Sequence, residues 1–217
     1  AMAGYQIARQ WFGSAMQLVS DREVWIYSAL PDYMSLMYTQ AALGSSQFYS
    51  HLHLRRNVIL VDRDKNNEVP LGAGLRCTPT LRTARGAWLM HMLRFLMFDL
   101  EKKSDLTYLK FVNELAMRCN NEMYSNADFQ ALAEKYYSQP LDWFFHQWLF
   151  DYALPKYEVE WATVKEDDGF YVAADVKIRE AAPDFTMPVI MHVIDGDQSS
   201  HFYRLTISGE GGHVQLG

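Results

Sequence analysis

Cysteine is scarce: 217 residues hold two, Cys77 and Cys119, in neither CxxC nor Cys/His zinc spacing. That leaves two reduced thiols or one disulfide, and it excludes a cysteine-ligated zinc module. Basic charge is thin as well. Twenty Lys and Arg stand against 26 Asp and Glu, for a net charge of -6, and the longest basic run is Arg55-Arg56. A chain of that balance offers no nucleic-acid surface. No apolar stretch reaches the roughly 18 residues that a membrane-spanning helix needs. The opening Ala1-Met2-Ala3-Gly4 has no basic region followed by an apolar one, so it reads as a cloning remnant and not as a signal peptide. Apolar side chains are plentiful instead. With 49% hydrophobic and 14% aromatic residues, a sizeable packed core is expected and disorder is not.

The pattern changes along the chain from helical to extended. Ile7, Ala8, Trp11 and Ala15 recur at helical spacing and predict a first helix over 4–18. Ser20 and Asp21 suit the cap of a second over 21–42, and Ser45 or Ser46 that of a third over 46–55. Residues 60–82, with Pro70, Gly72, Gly74 and Pro79, read as an extended loop. A helix over 84–98 is apolar nearly all round, which predicts burial at the centre of a helical lobe. Helices over 105–119 and 126–136 follow, the latter capped by Ser125 or Asn126, and a short one begins at Pro140. After Pro155, alternation in 157–161, 171–178, 187–194 and 201–207 predicts strands. Asp167-Asp168-Gly169 and Asp195-Gly196-Asp197 are hairpin-turn candidates. The expected organisation is α+β: a helical domain over 1–155 and a small β-sandwich over 156–217.

One string stands out. Tyr5-Gln6-Ile7-Ala8-Arg9-Gln10-Trp11-Phe12-Gly13 resembles the active-site helix of the membrane alanyl aminopeptidases, which are gluzincin zinc metallopeptidases and read H-E-[IL]-A-H-Q-W-[WF]-G there. Their third ligand follows eighteen residues later in W-L-N-E-G-[FL]-A-x-Y-M-S. This chain has Trp25-Ile26-Tyr27-Ser28-Ala29-Leu30-Pro31-Asp32-Tyr33-Met34-Ser35 in that register. Gly86-Ala87-Trp88-Leu89-Met90-His91-Met92-Leu93-Arg94 is similar to K-G-A-x-V-L-H-M-L-R, and Asp128-Phe129 to the T-x-x-D-F helix start. Leu141 to Trp148 is similar to D-L-x-W-F-F-D-Q-W, with Pro140 and His146 at its two aspartates. The matches run in order over nearly the whole chain. The resemblance implies the helical lobe of a thermolysin-like catalytic domain followed by a β-sandwich. In that family a lobe carrying the G-A-M-E-N substrate-binding loop precedes the active-site helix, and these residues contain no such string.

The departures fall on the chemistry. By the resemblance, Tyr5 stands at the first zinc histidine, Gln6 at the general-base glutamate, Arg9 at the second histidine, Ser28 at the ligand glutamate and Thr83 at the transition-state tyrosine. A catalytic zinc needs about three N, O or S ligands and an open position. Arg9 has no lone pair to offer, and Gln6 cannot take a proton from water. Losing the general base alone costs about 10²- to 10⁴-fold in rate, and without a metal nothing else activates the water. Arg9 is either a buried guanidinium at the old metal position or a surface arginine paired with Asp21 or Asp32.

Substitute sites are weakly supported. His51 and His53 share a face only on a strand, and a helix is expected there. His91 reads as a core histidine and His146 as lying on the rim of a short helix. Ser14, Ser20 and Ser28 lack G-x-S-x-G context, and the methionines read as core filler. The expectation is therefore a catalytically inactive, aminopeptidase-like protein with no metal and no cofactor, and with a binding or structural role toward a peptide or protein ligand. The alternatives are a working metallopeptidase or other hydrolase in the old cleft, and an assembly module for a missing lobe or partner chain. Apolar surface around Ile7 and Trp11, and an incomplete sandwich edge, predict a homo-oligomer.

Overall fold

The computed structural model describes residues 2–65, 69–118, 123–166, 169–194, 196–197, 199–209 and 211–216. Cys119, Asp167, Asp168 and Asp195, on which the disulfide and turn expectations rest, lie outside them. Helices and strands segregate along the chain, as in an α+β protein, and the chain divides into two compact units, Ala1–Tyr152 and Ala153–Gly217.

The first unit is helical. α1 (Met2–Arg9) continues as a π-helical turn, Gln10–Ala15, and ends in a two-residue strand β1 (Gln17–Leu18). The predicted single helix to residue 18 is therefore interrupted. Its apolar spacing does not distinguish an i→i+4 ladder from the wider i→i+5 turn. Ser20 then caps a 3₁₀ turn, Asp21–Glu23, and leads into α2 (Val24–Leu43). Glu23 closes a capping box: its Oε2 accepts from the Ser20 N–H at 3.0 Å and the Ser20 hydroxyl at 2.6 Å. α3 (Ser45–Asp64) runs past the predicted end at residue 55. Arg55 and Arg56 look like a polar stop, but Ile59 resumes the buried face.

α4 (Pro79–Leu96) starts earlier than its apolar run suggests, because the Thr78 hydroxyl accepts from the Leu81 N–H and Pro79 suits the first turn. Before it, 71–76 form a 3₁₀ segment inside the predicted loop. α5 (Leu106–Arg118) is followed by β2 (Met123–Tyr124), which pairs in parallel with β1. Ser125 and Asp128 form a second capping box on α6 (Asn126–Tyr137). α7 (Asp142–Phe145) and a π-helical turn, His146–Phe150, complete the unit.

α2 is central: α1, α3 and α4 all pack against it. Its crossing with α4 is close. A Cβ added at Gly86 would stand 2.4 Å from the Ala29 Cβ and 3.1 Å from its Cα, so only glycine admits this approach. Around the crossing lies an aromatic core of Trp25, Tyr33, Phe48, Tyr108, Phe111 and Phe129. Trp25 stacks edge-on to Phe129 at 5.1 Å, and its indole N–H donates to Asn126 Oδ1 at 2.8 Å.

The second unit is all strand. β3 (Lys156–Glu166), β4 (Gly169–Arg179) and β7 (Gly211–Leu216) form an antiparallel sheet in the order β3-β4-β7. β5 (Thr186–Ile194) and β6 (Ser200–Ser208) form an antiparallel ribbon. Among the described residues of this unit, those buried are Ala174, Val176 and Ile178 of β4, with Phe185, Met187 and Ile207.

Candidate functional site

Three candidate residues share α1. Tyr5 and Arg9 are four apart and so lie on one helix face. The Arg9 guanidinium carbon sits 6.0 Å from the centre of the Tyr5 ring. Gln6 is exposed beside them, while Ala8 and, beyond the helix, Phe12 are buried. Gly13 leaves room for this arrangement, since a Cβ there would stand 3.3 Å from Arg9 Nε. Arg9 is exposed, so the buried-guanidinium alternative does not describe it.

Ser28 is half-buried on α2, the helix that packs on α1, and adjoins Ala29 at the α2–α4 crossing. Thr83 lies three residues before Gly86 on α4, with its hydroxyl turned back to donate to the Pro79 carbonyl at 2.9 Å. The fold thus stacks Tyr5 with Arg9 and carries Ser28 and Thr83 on adjoining helices. None of the five offers a carboxylate or imidazole. Two aromatic or aliphatic neighbours are exposed beside them, Ile7 at 57% and Trp11 at 47%.

Asp32, proposed from sequence as a partner for Arg9, is taken by another residue. Arg55 of α3 donates to it through Nε and Nη2, both at 2.5 Å, and through Nη1 to the His51 carbonyl at 2.8 Å. The pair is largely buried, and its fork geometry ties α3 to α2. One signal for it was a lone aspartate inside an otherwise apolar helix.

The histidines do not gather. His51 is half-buried and His53 exposed, both on α3, and His146 is exposed. Among the described residues no group of three or more His, Cys, Asp or Glu side chains is placed to hold a metal ion. Cys77 is a buried free thiol whose pKa is raised by burial.

His91 belongs to a buried polar cluster that the sequence did not signal as a unit. Its Nδ1 shares a 2.9 Å hydrogen bond with the Tyr33 hydroxyl, among the rings of Phe48, Trp88 and Phe95. Arg94, which pairs with Asp105 and donates to Gln40 Oε1 at 2.8 Å, lies nearby. Burial, and secondarily the Arg94 charge, push the His91 pKa down to about 4, against a smaller opposing effect of Asp105. Burial likewise raises the Tyr33 and Tyr108 phenols.

Between pH 6.5 and 4 the unfolded chain therefore binds a proton at His91 that the folded chain refuses. The stability from this site is complete above pH 6.5 and is lost as pH falls toward 4, by up to about 3 kcal/mol. Urea midpoints at pH 7 and pH 4.5 should fall less for His91→Gln than for the parent. An equal fall in both would show that His91 does not carry the acid sensitivity.

No protein-family model and no curated protein matches this sequence. Among solved structures, the chain is similar to the aminopeptidase A of Legionella pneumophila, crystallised in complex with aspartic acid. The TM-score is 0.68 at 11% sequence identity, and the match covers 98% of this chain and 23% of that one. The chain thus spans about a quarter of that protein's length. Similarity at such low identity speaks for the fold alone: the chain has a peptidase-like fold.

Proposed function

We propose that this chain is a catalytically inactive homologue of the gluzincin aminopeptidases, with a binding or structural role in place of hydrolysis. The observation that carries the reading is the set of side chains on α1 and α2. At the positions that the resemblance assigns to two histidines, a general base and a third ligand, this chain has Tyr5, Arg9, Gln6 and Ser28. A phenol, a guanidinium, an amide and an alcohol cannot together hold a catalytic zinc and activate its water. Thr83, with its hydroxyl spent on its own helix, supplies no phenol for a developing oxyanion. The fold supports this reading, and so does the retention of the flanking Ala8, Gln10, Trp11, Phe12 and Gly13.

A preserved scaffold with a lost reaction centre suits the recognition of a peptide or protein segment, with the exposed Ile7 and Trp11 next to Arg9 as the contact surface. The expected result is less than about 0.1 zinc per chain by metal analysis after dialysis, with no cleavage of aminoacyl-anilide substrates. One zinc per chain, lost on substituting Tyr5, Gln6, Arg9 and Ser28, would overturn the proposal.

A further inference from the structure

The three-stranded sheet of the second unit has two chemically distinct faces. Direct cross-strand pairing puts Tyr157 beside Ile178, Val159 beside Val176 and Trp161 beside Ala174. The β4 members of these pairs are buried, so this is the core side of the sheet. The opposite side carries Glu158, Glu160, Lys177 and Arg179, with Arg179 pairing to Glu158 and Lys177 to Glu160. On the core side, however, β3 is uncovered: Val159 is 50% exposed and Trp161 69%, and Phe170, opposite Lys165 at the near end of β4, is 68% exposed.

β3 is also an edge. Among the described residues it pairs with β4 alone. It runs eleven residues in unbroken register, without a bulge, proline or glycine. Edge strands are ordinarily blunted by such devices, and a long regular one with an open apolar face is a template for another strand.

The charges along β3 select the partner. A strand pairing antiparallel with its own copy about a twofold axis sets one residue opposite itself. Centred on Glu160, a glutamate faces itself; centred on Val159, Glu158 faces the partner's Glu160. Centred on Ala162 or Thr163, Glu158 or Glu160 faces the partner's Glu166. Like charges directly opposite are destabilising, so these registers are disfavoured. Centred on Trp161, no like charges meet. Lys156 then faces the partner's Glu166 at both ends, Tyr157 faces the partner's Lys165, and Trp161 faces the partner's Trp161.

We propose that β3 pairs with β3 of a second copy of this chain in the register centred on Trp161, forming a continuous six-stranded sheet in which the open backbone edge is paired and the two Trp161 side chains meet. This is independent of whether the peptidase-like site is inactive.

Sedimentation equilibrium of the full chain tests it. The expected mass rises from 25.2 kDa toward twice that value across a dilution series. Trp161→Lys and Trp161→Glu should each be monomeric, and an equimolar mixture of the two should dimerise again. Lys156→Glu and Glu166→Lys should each weaken the dimer about tenfold, and the double variant should restore it. A constant monomer mass for the parent overturns the proposal. So does a dimer that no substitution at 156, 161 or 166 alters, which would move the contact to another surface such as Ile7 and Trp11. Far-UV circular dichroism establishes that each variant is folded, and the Lys156 and Glu166 cycle decides the matter if position 161 does not tolerate charge.

Discussion

The combined variant Tyr5→His, Gln6→Glu, Arg9→His and Ser28→Glu is expected to bind zinc with a dissociation constant at or below about 1 μM, a binding free energy of about 8 kcal/mol, while the parent is expected to take up none. The physical basis is spacing. Positions 5 and 9 share a face of α1, as the stacking of Arg9 on Tyr5 demonstrates, and two histidines four apart on a helix suit one metal ion. Position 28 would supply the third donor from α2, which packs against α1. The substituted side chains are half-buried or exposed, so the exchange opens no cavity in the core. Affinity should fall below about pH 6.5, because zinc competes with protons for the imidazoles. Peptidase activity should stay near background, since Thr83 supplies no phenol. Equilibrium dialysis with metal analysis measures the binding. A variant that keeps the parent's far-UV spectrum yet takes up no zinc would show that α1 and α2 are not in the register the resemblance assigns.

Gly86→Leu should be the most damaging single substitution in the helical unit, costing about 3 kcal/mol or more. Even a methyl group at this position would overlap Ala29, so α2 and α4 must separate and give up part of the apolar packing that they share in the core. Gly86→Ala gains helix propensity worth about 1 kcal/mol but meets the same obstruction, and a net loss of about 1–3 kcal/mol is expected. Because the obstruction is a single neighbour, Ala29→Gly should recover much of the loss in the double variant, although neither change adds a contact. Urea denaturation followed by tryptophan fluorescence reads this, since Trp25 and Trp88 report from α2 and α4. Strictly additive losses in the double variant would place the clash elsewhere.

Much of the helical architecture could be read before any coordinates. Ser20 with Glu23 and Ser125 with Asp128 announce helix starts by their chemistry, because each pair satisfies backbone N–H groups that the helix leaves open. The α1 failure was of another kind. Trp11 and Ala15 keep an apolar spacing that a π-helical turn also satisfies, so the spacing does not reveal the change of helix type at Gln10 or the turn into β1 after Ala15. The end of α3 was not legible either: the helix runs past residue 55 to Asp64, and Arg55 within it folds onto Asp32 across twenty-three positions. The pairing of β1 with β2 could not be seen at all, because two-residue strands are too short to show alternation.

For the candidate site, the side chains themselves carry the proposal: Arg9 has no lone pair to give a metal and Gln6 cannot take a proton from water, whatever surrounds them. Their environment was another matter. Exposure of Arg9, engagement of Asp32 by Arg55 and the burial of His91 against Tyr33 each depend on residues distant in the chain. Local pattern constrains what a residue offers and which element it joins. Packing of α1, α3 and α4 around α2 determines which groups meet, because the free energy of a charge or a hydrogen bond depends on the partners and the water that the fold leaves beside it.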